Sequence, residues 1–432
     1  MVLKSNEHPI TSWLKQTSSF NFALYASFVS FCLYTCIFAL RKTFGVATYE
    51  GISYWGVDFK GWMVISQVIG YLISKFIGIK VASELRSKHR TTGILLMVRI
   101  AAVAWFFFAI TPRPYNLFFL FMNGLPLGMV WSLVFGFLEG RKNTEVLGAS
   151  LSVSFIFSAG FAKTIGGIVI RDWHVTEFWM PFVASCLFFL PLLLFLWLLD
   201  KLPAPSAEDE MLRTKRQPMA GGERLAFVKK FAPGLILLIL SYALLTAFRD
   251  FRDNFSAEIW RSLGYGDRPS VFTQTETPIS IIVLVVIASL MIVKNNRTAV
   301  LINHLMVLVG MLIVGASTFA FQQELISPLV WMTLVGMGLY FGYIQFNSIF
   351  FDRLLAAFSY AGTVAFLINL ADSFGYIGSV SVLLYKYFGH SNLSWLDFFI
   401  SSGYVVSVVG TILIAASMIY FKNKHAHWKL QK

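Results

Sequence analysis

The segment LDKLPAPSAEDEMLRTKRQPMAGGERLAFVKK, residues 199–230, is the one long polar stretch in a chain of 432 residues. It is rich in charge, Pro and Gly, a composition typical of a flexible linker. On both sides of it, apolar runs of 18 or more residues recur, and each is long enough to cross a bilayer as a helix. The chain is 57% hydrophobic and 13% charged, against about 25% charged residues in soluble domains. The sequence therefore predicts an all-α membrane protein.

The apolar runs predict twelve transmembrane helices, six before the linker and six after it. The predicted domains are an N-terminal six-helix bundle (1–199), a cytoplasmic linker (200–231) and a C-terminal six-helix bundle (232–432). Two pseudo-symmetric six-helix halves joined in this way are typical of the major facilitator fold, in which substrate binds near the membrane midplane between the halves. The expected helix ranges are 22–48, 60–82, 92–111, 114–138, 147–170, 178–199, 232–255, 270–293, 298–320, 326–351, 360–386 and 395–421.

Basic residues predict the orientation of the chain. The loops and tails on the side of the two termini carry 21 Lys and Arg, and the loops on the opposite side carry 6. Because positive charge is retained in the cytoplasm, both termini are expected there. The basic residues are scattered over short loops and form no single patch, so the net charge of +13 does not indicate a nucleic-acid partner.

Arg41 and Arg249 are the candidate substrate-binding residues, because each lies inside the first apolar run of its half. An arginine at the bilayer centre costs roughly 2.5–3.5 kcal/mol on insertion scales, so it usually faces a cavity and meets an anion. Helices 1 and 7 correspond by pseudo-symmetry, which predicts that the two arginines flank one central cavity. Lys75 and Lys163 add buried positive charge, and Tyr34 is a candidate cavity residue.

The acidic residues inside the predicted helices are fewer. Glu276 and Asp372 are each a candidate proton-coupling group or charge partner, and Glu276 is expected to neutralise Arg249 or Lys163. Two further expectations concern residues outside the binding set. Arg252 and Asp253 are expected to form a local pair at the outer end of helix 7, and His304 to pack against the scaffold without transferring protons.

The chain carries none of the short motifs that would indicate an intramembrane enzyme. It has no HExxH, no GxSxG and no catalytic aspartates paired at helical spacing. The chain has three cysteines, an odd number. They form no CxxC motif and have no His cluster nearby, so neither disulfides nor a metal site is expected. No cofactor is expected, and the expected partners are a small anionic solute and the lipid bilayer, with the chain acting as a monomer.

Four motifs in collinear order resemble the organophosphate:phosphate antiporters of the major facilitator superfamily, the bacterial glycerol phosphate and hexose phosphate transporters. The resemblance extends over nearly the whole chain and implies that Arg41, Lys75 and Arg249 bind substrate. It also implies that Glu276 matches the glutamate of helix 8, and that the chain is a divergent bacterial branch in the inner membrane. The motifs are LRKTF (40–44), SKFIG (74–78), LLTAFRDFRDNFSAEIW (244–260) and SFGYIGS (373–379).

The sequence departs from that family in two places. Where the antiporters place a substrate histidine on helix 5, this chain has Phe157 or Ser158, and Lys163 lies further along a similar face. The loop GIKVASELRSKHR (78–90) is only a degraded form of the superfamily signature after helix 2. The missing histidine weakens the case for phosphate, whereas the two arginines still favour an anion.

The expected function is transport of a small organic anion, specifically an organophosphate exchanged for inorganic phosphate by alternating access. Two arginines would repel each other in an empty site and be drawn together by an anion, so exchange is expected to be fast and net flux slow. The alternatives are a proton-coupled carrier of carboxylates or sugar acids, and a transporter-like membrane sensor of a phosphorylated metabolite.

Overall fold

A computed structural model describes residues 8–84, 89–139, 141, 144–205, 209, 221–290, 292–358, 364–389 and 393–430. This described part consists almost entirely of helices. A 3-10 helix (Thr43–Val46) and a short antiparallel hairpin of β1 (Ser53–Tyr54) and β2 (Val57–Asp58) lie between the second and third of them. The α-helices are α1 (Pro9–Gln16), α2 (Ser19–Lys42), α3 (Phe59–Glu84), α4 (Arg90–Ile110), α5 (Leu117–Leu138), α6 (Thr144–Arg171), α7 (Met180–Asp200), α8 (Gly221–Asn254), α9 (Ser256–Ser262), α10 (Ser270–Leu290), α11 (Asn296–Gln322), α12 (Pro328–Ser348), α13 (Phe350–Ala357), α14 (Val364–Phe388) and α15 (Trp395–Leu430).

The expected set of twelve membrane-spanning helices is confirmed. Eleven helices of the described part are long and apolar enough to cross a membrane. The twelfth is α3, whose 26 residues correspond to about 39 Å of helix, more than the thickness of a hydrocarbon core. The chain is therefore an integral membrane protein. The short helices α1, α9 and α13 were not expected, because none of them has an apolar run of its own.

The chain folds into two compact units, which differ from the two sequence halves in one segment. Unit 1 combines Met1–Phe44 with Ser66–Thr214, and unit 2 combines Gly45–Ile65 with Lys215–Lys432. The segment Gly45–Ile65 contains the hairpin and the first turns of α3, so α3 begins in unit 2 and continues in unit 1. The predicted domains 1–199, 200–231 and 232–432 stay a prediction.

Unit 1 is built around α2, which packs against α6 and α7, while α4 packs against α5 and α7. Its interior is apolar, with Leu33, Leu40 and Val130 fully buried. Close backbone approach joins α3 to α5, because a Cβ at Gly124 would collide with the carbonyl oxygen of Gln67. Without a hydrophobic driving force between helices in lipid, such small residues allow the van der Waals contact that holds the helices together.

Unit 2 is held by four extensive helix contacts, of α11 with α12 and α15, and of α8 with α14 and α15. The backbones of α11 and α12 approach closely, because a Cβ at Gly310 would collide with the carbonyl oxygen of Gly338. Ser327 caps α12 by accepting from the backbone N–H of Val330 at 3.4 Å, and Pro328 occupies the first turn, where its missing N–H costs nothing.

The linker prediction is corrected at its C-terminal end. Residues 221–231 were expected to be part of a flexible linker, but α8 already begins at Gly221 and continues without interruption to Asn254. The sequence RLAFVKK at 224–230 supports this, because Phe227 is buried and stacks at 4.9 Å on Phe231 one turn later. Charge in this segment was taken as a sign of a linker, although it lies on a helix with one apolar face. Most of the rest of the linker lies outside the described residues.

Candidate functional site

Arg41 and Arg249 occupy matching positions near the ends of their helices. The 3-10 extension of α2 ends at Val46 and α8 ends at Asn254, in each case five residues beyond the arginine. Five residues rise about 7.5 Å in an α-helix. Both arginines therefore lie nearer to one end of the helix than to its middle, which corrects the expectation of a central position. The sequence predicted that helices 1 and 7 end at residues 48 and 255. The first of these helices ends two residues earlier, at Val46.

The end of α2 is fixed by side chains from three other helices of unit 1. Trp105 Nε1 and Asn123 Nδ2 donate to the carbonyl oxygen of Leu40 at 2.6 and 3.1 Å. Gln67 Nε2 donates to the carbonyl oxygen of Arg41 at 2.8 Å and to Asn123 Oδ1 at 2.9 Å. The last carbonyl groups of a helix have no partner within the helix, so these contacts satisfy them. The backbone of Arg41 is thereby held in one position.

The side chain of Arg41 stacks on an aromatic ring of α3. Its Cζ lies 3.8 Å from the centroid of Tyr71, a distance typical of a cation–π contact. Lys42 and Tyr34 on the same helix are both buried. The side chain of Lys75, the other predicted ligand on α3, lies outside the described residues. Unit 1 thus presents Arg41 as a partly buried cation on a fixed backbone, whereas the predicted binding roles of Tyr34 and Lys75 stay predictions.

On α6, the position expected to differ from the antiporters is occupied by residues that pack against α2. Ser158 Oγ donates to Thr35 Oγ1 at 2.9 Å, and the ring of Phe157 lies 5.6 Å from that of Phe31. Both side chains therefore contribute to contacts between helices. Lys163, one and a half turns later, is buried, and its predicted role in substrate binding stays a prediction.

In unit 2, Arg249 is held by three neighbours. Its Nε and Nη2 donate to Asp250 Oδ1 at 3.1 and 2.6 Å, and Ser379 Oγ of α14 donates to Asp250 Oδ2 at 2.7 Å. The guanidinium Cζ lies 4.1 Å from the ring centroid of Tyr343 on α12. The side chain is 14% exposed. The SFGYIGS motif thus contributes Ser379, which positions the carboxylate beside the arginine.

These contacts occupy only one edge of the Arg249 guanidinium, the edge formed by Nε and Nη2. All its hydrogen bonds run from the Nε–Nη2 edge to one carboxylate oxygen, and within the described part of the chain Nη1 has no acceptor. A guanidinium carries five N–H donors in a planar fork. The donors on Nη1 therefore leave one edge available for an oxyanion.

Asp372 is connected to this arginine through two stacked tyrosines. The rings of Tyr242 and Tyr343 lie 5.3 Å apart with an interplanar angle of 18°. Tyr242 donates its hydroxyl hydrogen to Asp372 Oδ1 at 2.5 Å and accepts from Asn347 Nδ2 at 3.0 Å. The structure therefore brings Asp372 and Arg249 into one polar and aromatic group on α8, α12 and α14.

Glu276 has a different partner from the one expected. Arg252 Nη1 donates to Glu276 Oε1 at 2.6 Å, and Arg252 Nη2 donates to the carbonyl oxygen of Met332 at 3.1 Å. The ion pair of Arg252 is thus with Glu276 in place of the expected neighbour Asp253, whose charge still acts on Arg252 through space. Glu276 contacts Arg252 where Arg249 was expected. The reason is space on α12, where a Cβ at Gly336 would lie only 2.8 Å from Arg252 Nη2.

His304 packs in the scaffold, as expected from the sequence. Its Nδ1 lies 2.8 Å from the carbonyl oxygen of Val300, and its Nε2 lies 3.2 Å from Ser417 Oγ. In the part of the chain that the structure describes, no group of three or more His, Cys, Asp or Glu side chains has a geometry suited to a metal ion.

Sequence reasoning missed the uncharged polar residues that position the two arginines. They share one signal, which is an amide, hydroxyl or indole N–H group inside an otherwise apolar run, where it needs a specific partner. That signal gives the position of a polar contact but not the residue it meets. The missed residues are Gln67, Trp105 and Asn123 around Arg41, and Tyr242, Asn347 and Ser379 around Arg249.

Comparison with known protein families gives one match that extends over most of the chain. A family described as "Family of unknown function (DUF5690)" matches residues 43–424. The match includes Arg249, Asp372 and every other described contact of unit 2 that is named above. No curated protein sequence matches the chain.

Solved structures with a similar fold are transporters of the major facilitator type. A mutant of the peptide transporter POT in complex with sulfate has a TM-score of 0.63 at 14% identity, with 96% of this chain and 98% of that chain covered. A D-xylose-proton symporter has a TM-score of 0.57 at 16% identity, with 94% and 98% covered. A bacterial homolog of the human lysosomal transporter Spinster has 0.59 at 12% identity, with 94% and 98% covered. The likeness shows that the chain has the major facilitator fold.

Proposed function

We propose that this chain, which belongs to the DUF5690 family and has the major facilitator fold, is a secondary transporter of a small organic anion. The proposal rests on the position and contacts of Arg249. It lies in a membrane-spanning helix, is oriented by Asp250, Ser379 and Tyr343, and still has donors on Nη1 without an acceptor in the described part. A buried cation with free donors in such a segment is expected to meet an anionic solute.

The specific form of the proposal is an organophosphate exchanged for inorganic phosphate by alternating access. A planar guanidinium fork donates two parallel hydrogen bonds to phosphate or carboxylate oxygens, which a lysine ammonium does not. Arg41 supports the same chemistry, because its backbone is fixed and its side chain is stacked on Tyr71. Because Phe157 and Ser158 pack against α2, the position of α6 where the antiporters have a substrate histidine gives no support for phosphate, and Lys163 remains the predicted ligand on this helix.

The proposed orientation of the chain in the membrane follows from the distribution of basic residues. We expect both termini in the cytoplasm, because the loops and tails of that side carry 21 of the 35 Lys and Arg residues. The proposed location is a bacterial inner membrane, and the proposed partners are the anionic solute and the lipid bilayer. We expect the chain to act as a monomer.

Exchange across reconstituted vesicles tests the proposal. Purified protein is placed in liposomes that contain radiolabelled phosphate, and phosphate, phosphate esters or carboxylates are added outside. We expect outside anions to accelerate release of the label. Arg249→Lys keeps the charge but loses the fork, so its exchange rate is expected to fall at least tenfold, nearly as far as for Arg249→Ala. Arg171→Lys is the matched control, because Arg171 is exposed and pairs with its neighbour Asp172.

Two results would contradict the proposal. One is label release that no outside anion changes, and the other is unchanged exchange in both Arg41→Lys and Arg249→Lys.

A second candidate is a proton-coupled carrier of carboxylates or sugar acids, and the contact of Tyr242 with Asp372 favours it. A carboxyl group within hydrogen-bond distance of a tyrosine hydroxyl can gain or lose a proton during the cycle. Glu276 is the poorer candidate, since it is paired with Arg252. Uptake that rises with an imposed proton gradient, needs no internal phosphate and is lost in Asp372→Asn would select this function.

A further inference from the structure

We propose that Asp250 is a built-in counter-ion of Arg249, which allows the empty carrier to reorient and makes the exchange non-obligatory. The inference rests on the proposed transport function and specifies how transport is coupled. Its basis is the contact of Arg249 Nε and Nη2 with Asp250 Oδ1 at 3.1 and 2.6 Å, in a pair whose side chains are 14% and 9% exposed.

Adjacent residues of a helix do not normally form such a pair. Successive side chains point about 100° apart around the helix axis, and pairs at i and i+1 do not face each other. Here two other helices bring them together. Ser379 of α14 donates to Asp250 Oδ2, and Tyr343 of α12 stacks on the guanidinium of Arg249. The arrangement is therefore made by the fold of unit 2 and does not follow from the sequence order alone.

Asp250 supplies the same group that a substrate would bring. A carboxylate is an oxyanion, and it occupies one edge of the guanidinium while the donors on Nη1 stay available. The pair has no net charge, and a bound anion adds to it at the other edge. Ser379 holds the second carboxylate oxygen, so Asp250 stays in place whether or not the solute is bound.

Reorientation removes water from the site, and this makes the charge of Arg249 important. A cation in a dry, low-dielectric interior is strongly disfavoured unless an anion lies beside it. In an obligatory exchanger only the substrate provides that anion, so the empty form cannot reorient. With Asp250 in contact, the empty form keeps a neutral pair and reorients too. The sequence led us to expect fast exchange and slow net flux. For Arg249 of unit 2, the contact with Asp250 leads us to expect a net flux comparable to exchange.

The test compares two modes of phosphate efflux from the same proteoliposomes. Exchange is measured with inorganic phosphate outside, and net efflux is measured without it, with valinomycin and potassium to compensate charge. In the wild type both modes are expected, with rates within about threefold of each other. In Asp250→Asn, which keeps the size and one acceptor oxygen for the guanidinium but removes the charge and the second acceptor, net efflux is expected to fall at least tenfold, equivalent to about 1.4 kcal/mol. Exchange is expected to fall by a smaller factor than net efflux, so that the ratio of net efflux to exchange falls at least threefold.

Two companion variants separate charge from shape. Asp250→Glu restores the carboxylate, so net efflux is expected to recover toward the wild-type rate. Ser379→Ala removes the donor to Asp250 Oδ2, and with it a contact to the carbonyl oxygen of Gly375, but keeps the carboxylate, so it is expected to lower net efflux by less than Asp250→Asn does. Thermal unfolding of each purified variant shows whether it is folded before its transport is interpreted.

Three outcomes would overturn the inference. They are equal loss of both modes in folded Asp250→Asn, an unchanged ratio of the two modes in that variant, and wild-type protein that exchanges phosphate without any net efflux. Each of these leaves the proposed anion exchange standing. If the wild type exchanges none of the anions tested, the proposed function itself fails, and the inference falls with it.

Discussion

At the scale of single residues, unit 2 contains two buried ion pairs with different properties. Arg249 and Asp250 leave Nη1 without an acceptor, whereas Arg252 and Glu276 are enclosed by α10 and α12. In the second pair, Arg252 Nε and Glu276 Oε2 are buried and make no hydrogen bond. A buried pair with unsatisfied atoms contributes little net stability, but the loss of one partner leaves a bare charge. We interpret the first pair as functional and the second as structural.

The Arg252–Glu276 pair gives a prediction about stability. Glu276→Ala is expected to destabilise the protein by about 3–5 kcal/mol, because it removes the carboxylate in direct contact with the buried guanidinium of Arg252. The double variant Arg252→Met/Glu276→Leu removes both charges and keeps much of the volume, so its unfolding free energy is expected to lie close to that of the wild type. Chemical unfolding in detergent measures both. A double variant less stable than Glu276→Ala would contradict the interpretation.

Residues also show how far the site could be predicted. Arg41 and Arg249 were found from sequence because a charge in an apolar run is conspicuous. Their partners were not, because a side chain's contacts depend on which helices pack together. Asp250 was an acid next to Arg249 in the sequence, and pairs at i and i+1 are not expected to meet. Glu276 was expected to neutralise Arg249 or Lys163, and its partner Arg252 was missed because the space at Gly336 that admits Arg252 has no signature in sequence.

At the scale of elements, the close contact of α11 with α12 shows how these helices pack. Gly310 and Gly338 face each other so closely that a Cβ on either would collide with the other's carbonyl oxygen. Side-chain burial cannot supply this contact in lipid, because hydrocarbon chains are as apolar as leucine. The contact thus depends on the absence of a side chain.

The prediction at this scale compares two glycines of unit 2. Gly310→Ala is expected to destabilise the protein by about 1–3 kcal/mol, because two backbones must move apart. Gly403→Ala is the matched control, since a Cβ there would lie 3.4 Å from Thr318 Oγ1, an ordinary contact. Thermal unfolding in the same detergent compares them. Equal effects of the two substitutions would show that helix approach at Gly310 is not limiting.

Elements were predicted well in number and less well in extent. Twelve apolar runs gave the twelve spanning helices, since length and hydropathy are properties of the local sequence. Ends were less certain. The start of α8 at Gly221 was missed, and α1 was missed because its stability comes from tertiary contacts. Thr11 Oγ1 donates to the carbonyl oxygen of Lys201 at 2.9 Å, and Leu14 is buried. Such contacts cannot be read from an amphipathic eight-residue segment.

At the scale of the whole molecule, the segment Gly45–Ile65 is anchored within unit 2 by two ion pairs. Lys60 Nζ lies 2.7 and 2.8 Å from the two carboxylate oxygens of Glu258 and donates to the carbonyl oxygen of Gly45 at 2.9 Å. The Lys60 side chain is 2% exposed. The second pair joins Arg261 to Glu50. The first anchor is buried and the second lies in solvent.

These two anchors are expected to differ in strength. Glu258→Ala removes the carboxylate that contacts the buried Lys60 ammonium through both of its oxygens, and it is expected to destabilise the protein by about 3–5 kcal/mol. Glu50→Ala removes an ion pair whose side chains are 52% and 72% exposed, so an effect below about 1 kcal/mol is expected. Thermal unfolding of each purified variant measures both changes in stability, and limited proteolysis reports the accessibility of the segment 45–65. Similar effects would mean that Lys60 finds another partner.

The position of α3 in both units has a mechanical consequence. Helix α3 is attached at Lys60 to Glu258 of unit 2, and its Gln67 is hydrogen-bonded to the carbonyl oxygen of Arg41 in unit 1. Gly61 directly follows Lys60, and the residues WMVISQ at 62–67 contain no Pro or Gly, the usual points of bending. Within unit 2, the buried ammonium of Lys60 fixes the first turn of α3, and within unit 1 Gln67, about 10 Å further along the same helix, holds the backbone of Arg41. Loss of either contact is therefore expected to loosen the same helix.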